Sequence, residues 1–130
     1  MSEALFAASP NDQSARIGAM LAHYSLGVNL LLNGERADGL ARLREALAEA
    51  EAIQNASPGN DYIINQVASI KAELGEALIT GNPKHAEGCR LIDEALSLWD
   101  TLVRRSAMPG ESARHRKRFE AVRETCGAPM

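Results

Sequence analysis

The chain has 130 residues, of which 45% are hydrophobic and 24% charged, and it carries a net charge of −3 at neutral pH. Those values exclude a disordered or collagen-like chain, and the length suits one core rather than two ordinary domains. With aromatic residues at only 4%, the core must be built mainly from Leu, Ile and Ala, which favour helices.

In chain order, Met1 to Phe6 shows no basic region followed by an apolar stretch, so no secretory signal is read there. Ile17 to Gly34 is free of Asp, Glu, Lys and Arg for eighteen residues. His23, Ser25, Asn29 and Asn33 interrupt it and Gly18 and Gly27 dilute it, whereas a membrane span wants ~20 predominantly apolar residues. A buried helix from about Asp12 to Asn33 is expected instead, with Ile17, Met20, Leu21, Tyr24, Val28 and Leu31 at helical spacing and Asn33-Gly34 ending it. Arg36 to Asn55 reads as a charged helix with a narrow stripe of Leu40, Leu43, Leu47, Ala50 and Ile53, stopping before Ser57-Pro58-Gly59. Asp61 to Thr80 carries Ile63, Ile64, Val67, Ile70, Leu74 and Leu78, and Gly81-Asn82 closes it. Asn82 is the expected cap of the next helix, with Pro83 at its first position. That helix runs to about Arg105 and buries Ile92, Ala95, Leu96, Trp99 and Leu102. A last, more polar helix, Glu111 to Thr125, offers Phe119, Val122 and Cys126 to the core.

The sequence repeats. At an offset of 48, Glu3-Ala4 falls on Glu51-Ala52, Ala8-Ser9-Pro10 on Ala56-Ser57-Pro58, Leu26-Gly27 on Leu74-Gly75 and Leu30 on Leu78. At 49, Ala37-Asp38-Gly39 falls on Ala86-Glu87-Gly88 and Glu45-Ala46-Leu47 on Glu94-Ala95-Leu96. A period of this size signifies stacked helical units, each burying its apolar face against its neighbours. The expected organisation is residues 3–10 as the tail of a preceding unit, 11–58 as the first repeat, 59–108 as the second and 109–126 as a capping helix. The chain is accordingly expected to be the carboxyl-terminal piece of a longer protein.

These residues resemble the tetratricopeptide repeats, whose first helix carries a Leu-Gly pair, a large residue three positions later and a turn residue four beyond, with a small residue at the crossing on the second helix. Leu26-Gly27, Leu30, Gly34 and Ala46 match in one unit and Leu74-Gly75, Leu78, Asn82 and Ala95 in the other. The family's aromatic before the Gly is here His23 and Lys71, and its Ala early in the second helix is Gly39 and Glu87. The units are also longer than the family's 34 residues. The chain is similar to the repeat tails found C-terminal to the catalytic domain of some bacterial serine/threonine protein kinases. The resemblance implies an all-α helical-hairpin solenoid, two antiparallel helix pairs stacked right-handedly plus a cap, whose first helices line a partner-binding surface. Carried over by the Gly, that surface comprises Leu21, Tyr24, Val28, Leu31 and Leu32 in the first unit and Ser69, Ala72, Glu76, Ile79 and Thr80 in the second. Its apolar half suits an amphipathic helix or apolar peptide. The same residues serve equally well as packing between lengthened helices.

No catalytic, metal or cofactor motif is found. His23 reads as a packing or hydrogen-bonded core histidine, and His85 and His115 as solvent-exposed. Cys89 and Cys126 have no metal-ligand spacing; Cys89 reads as a small hydrophobe and Cys126 as a bystander, which makes a reduced, cytoplasmic setting the default. The expected function is a non-enzymatic protein-interaction module, the alternatives being a regulatory tail of a kinase and the binding of an anionic partner or nucleic acid. That last reading rests on Arg114, Arg116, Lys117 and Arg118, since residues 104–130 hold seven Lys or Arg against three acids. A solvated capping helix whose cations pair with the acidic body is favoured over it. The expected partner is a protein or peptide and not a membrane, and the apolar surface of the first helix, with the Glu3 to Ala8 segment over part of its edge, also predicts a homodimer.

Overall fold

The computed structural model describes residues 13–126, so the proposed 3–10 tail and the Glu3 to Ala8 edge segment lie outside the described residues. Five helices and no strand are found among them: α1 Gln13–Leu32, α2 Arg36–Ala56, α3 Asp61–Ile79, α4 Ala86–Arg104 and α5 Gly110–Glu124. None is long and apolar enough to cross a membrane. The chain divides into two compact units, residues 1–58 and 59–130.

In the first unit α1 and α2 form an antiparallel hairpin, Gln13 reaching Ser57 at its open end and Leu31 meeting Gly39 near the turn. α1 ends where the periodicity predicts: Gly34 adopts φ +81°, its N–H donates to Leu31 and that of Glu35 to Leu30, the closure that a left-handed residue permits. The buried positions are Met20 and Gly27 on α1 and Gly39, Leu43, Ala46, Ala50 and Ile53 on α2. α1 is therefore no buried helix. Among the described residues of the unit it packs against α2, and Leu26 and Leu32 are exposed.

The second unit repeats the hairpin with α3 and α4. Asn60 caps α3 by accepting from the Ile63 N–H. α4 begins at Ala86, later than expected: His85, not Asn82, is its cap, with Nδ1 accepting from the Gly88 N–H. Asn82 instead closes the preceding turn, its N–H donating to Ile79 and its carbonyl accepting from His85. α4 buries Leu91, Ile92, Ala95, Trp99 and Leu102, and the indole N–H of Trp99 donates to Asn65.

Both hairpins are held close by paired glycines. A side chain at Gly27 would lie 2.9 Å from Leu43, and one at Gly39 would lie 2.8 Å from Leu31. In the second unit a side chain at Gly75 would meet the Gly88 carbonyl and Ile92 at 2.8 Å, and one at Gly88 would meet Ile79 at 2.7 Å. The counterpart of Gly39 is thus Gly88, not Glu87, as the 49-residue offset requires.

Candidate functional site

α5 begins at Gly110, one residue earlier than the sequence suggested, and only Ser112 and Phe119 of its residues are buried. Phe119 enters an apolar floor made by Ile64, Ala68 and Ala72 of α3 with Ala95, Trp99 and Leu102 of α4. Its ring lies 5.9 Å from that of Trp99, centroid to centroid, and the Arg118 guanidinium sits 4.5 Å above the Phe119 ring. Such a cation over an aromatic face adds attraction to the burial.

The rim of this floor is acidic on both helices. From α3, Glu73 and Glu76 both accept from Arg118; from α4, Asp100 accepts from Arg116 and Asp93 from Arg123. Positions rising along α5 meet positions falling along α4, so the two helices run antiparallel. Burial holds the Glu73 carboxyl above the ordinary glutamate range, against the opposing charge of Arg118. Across the α3–α4 hairpin, Lys71 and Arg90 converge on Glu94; although partial burial pushes its carboxyl up, their hydrogen bonds and charges hold it below the ordinary range.

Cys89 and Cys126 are joined by a disulfide with their Cα atoms 5.7 Å apart. This corrects the reading of two unrelated thiols. Thirty-seven residues separate them in sequence, but the antiparallel return of α5 along α4 brings the end of one helix to the first turn of the other. The basic run follows the favoured reading in part: Arg116, Arg118 and Arg123 pair with carboxylates of the hairpin, whereas Arg114 and Lys117 are exposed and make no ion pair among the described residues.

The ten groove positions divide. In the first unit Leu21, Tyr24 and Val28 are half-buried and Leu32 is exposed, while Leu31 is turned onto Gly39 at the hairpin crossing. In the second unit Ala72 lies in the floor beneath α5, Glu76 is engaged by Arg118, and Ile79 is packed on Gly88. Ser69 is buried, and Thr80 is exposed with its hydroxyl donating to the Glu76 carbonyl. Ser69, Ala72 and Ile79 are thus not open to a ligand: Ser69 is buried, Ala72 lies under α5 and Ile79 is turned onto Gly88. His23 is half-buried rather than a core residue: Nδ1 donates to Glu49 at 2.5 Å, and Nε2 lies 3.4 Å from Glu45, which also accepts from Arg42. No group of three or more His, Cys, Asp or Glu able to hold a metal occurs among the described residues.

No protein-family model, curated protein or solved structure matches the chain.

Proposed function

We propose that the chain is a tetratricopeptide-like helical-repeat module whose role is non-enzymatic: it binds an amphipathic helix or peptide of another protein. The duplicated hairpin carries this reading. Gly27 with Gly39 and Gly75 with Gly88 make the same close crossing in both units, and Leu31 and Ile79 occupy equivalent places on them. Such repetition suits a solenoid better than an enzyme, in which a single unique cleft holds the reacting groups. In the first unit, Leu21, Tyr24, Val28 and Leu32 present apolar surface on α1, and this is the favoured contact face. The carboxylates engaging Arg116, Arg118 and Arg123 weigh against an anionic partner. For the compartment, the Cys89–Cys126 bridge weighs against a constantly reduced cytoplasm, where such bonds are transient when they form.

A photo-crosslinking residue placed at Leu32 in the intact chain tests the reading, with the same residue at Ala48, on the exposed side of α2, as its control. One recurrent protein adduct from the Leu32 position alone, whose binding to the purified chain is lost with Leu32→Glu, is the expected result. Equal or no crosslinking from both positions removes α1 as the contact face.

A further inference from the structure

Only Ser112 and Phe119 of α5 are buried, and the rest of its hold on the hairpin is at the rim. Ser112, Arg116, Phe119, Val122 and Arg123 face the hairpin, spaced as the anchors of an amphipathic helix, and Arg118 beside them reaches Glu73 and Glu76 at its edge. The hairpin presents the complement: an apolar floor around Trp99, with Glu73 and Glu76 along one edge and Asp93 and Asp100 along the other. These ion pairs are partly exposed, so salt screens them and each holds the helix only weakly. Besides the 105–109 linker at its start, the covalent tie between α5 and the hairpin among the described residues is the bridge from Cys126, just past the end of α5, to Cys89 in the first turn of α4.

We propose that the α3–α4 face beneath α5 is a helix-docking surface which α5 occupies as a built-in substitute ligand, and that reduction of the Cys89–Cys126 bridge opens it to a basic amphipathic helix of another protein carrying an aromatic residue beside an arginine. The exchange consumes a dithiol reductant. One of its thiolates attacks Sγ of Cys126, the Cys89 sulfur leaves as a thiolate and takes up a proton, and the second thiol of the reductant displaces Cys126. Two protein thiols and one oxidised reductant result. Cys89 suits the leaving role because a helix N-terminus favours its thiolate. Once free at that end, α5 remains tethered by the 105–109 linker and still competes for the face at high local concentration, so only a helix of matching chemistry displaces it.

The identity of the external occupant rests on the interaction-module reading, but the release of α5 does not, and the two are read separately. Trp99 is the single tryptophan and is fully buried. In the intact chain at physiological salt, reduction by dithiothreitol is expected to make Trp99 roughly tenfold more accessible to acrylamide and to raise amide exchange in α5 by a similar factor, while α1 and α2 are unchanged. For the docking arm, a labelled peptide of residues 110–125 is added to the reduced Arg118→Ala/Phe119→Ala variant, whose own helix lacks its anchors. Saturable binding is expected, and none to the oxidised wild-type chain. If the double variant loses its helicity, Glu76→Lys replaces it: the reduced chain is expected to bind a peptide with Glu in place of Arg118 roughly tenfold better than the unaltered peptide. Unchanged Trp99 accessibility and α5 exchange on reduction overturn the latch. A reduced, folded variant that binds neither peptide overturns the docking surface, and leaves the contact face on α1 untouched.

Discussion

The crossing glycines and two glutamates show how far single residues control this chain. Gly75 lies so close to the Gly88 carbonyl that any side chain must push backbone against backbone. Gly75→Leu is therefore expected to cost ~1–3 kcal/mol in chemical denaturation, while Gly110→Leu, at a position with open space around it, costs far less. Equal losses would mean that the α3–α4 crossing yields freely. Glu73 sets a pH dependence of definite sign. Because desolvation raises its folded pKa, the unfolded chain releases the proton first, so its contribution to stability is full below the ordinary glutamate range and falls as pH rises through the folded value. Glu73→Gln removes that slope and is expected to gain on the wild type as pH rises from the ordinary glutamate range through the raised folded value, as read from denaturation midpoints at stepped pH. Glu94 acts in the opposite sense: its stabilisation is present above the ordinary range and lost as pH falls through its lowered value.

At the scale of elements, the helices were legible because their signals are local. The three-and-four spacing of Ile63, Val67, Ile70 and Leu74 and the turns at Gly34 and Gly81 place α1 to α3 within a residue or two, since apolar period and left-handed glycine act within one helix. α4 was misplaced by its start. Asn82-Pro83 is a stronger cap signal than His85, and only the hydrogen bonds that fold Asn82 into the previous turn decide between them. That α5 caps the unit through Phe119 and pairs its cations with the acidic body was legible; which acids it meets was not, because Glu73, Glu76, Asp93 and Asp100 are scattered over two helices and look in sequence like ordinary solvated acids. The turn before α5 carries a correctable cost: Ser106 holds φ 54°, where a side chain is disfavoured, while its neighbours satisfy the end of α4. Ser106→Gly is expected to stabilise the second unit by up to ~1 kcal/mol, read as a higher melting temperature, and a loss would mean that the serine hydroxyl does more than the strained backbone costs.

For the whole molecule, the repeat makes the two hairpins alike and the terminal helix makes them different. The glycine crossings recur in both, so sequence comparison of the halves captured their common architecture. What the halves do not share is the acidic rim, the single tryptophan and the bridge, and these lie in the second unit, where α5 returns along α4. Pairing of Cys89 and Cys126 was invisible because a 37-residue separation carries no pairing signal; it follows only from the antiparallel return of α5. The bridge also restricts the unfolded second unit: closing a loop of this length is worth roughly 3–4 kcal/mol through lost chain entropy. Cys89→Ser/Cys126→Ser is therefore expected to lower the stability of residues 59–126, read by amide exchange at their most protected positions, and to leave residues 13–58 unaltered, because α1 and α2 belong to the other compact unit. A loss spread evenly over both units would show that they unfold as one cooperative body, and that the bridge stabilises the entire chain rather than the half that contains it.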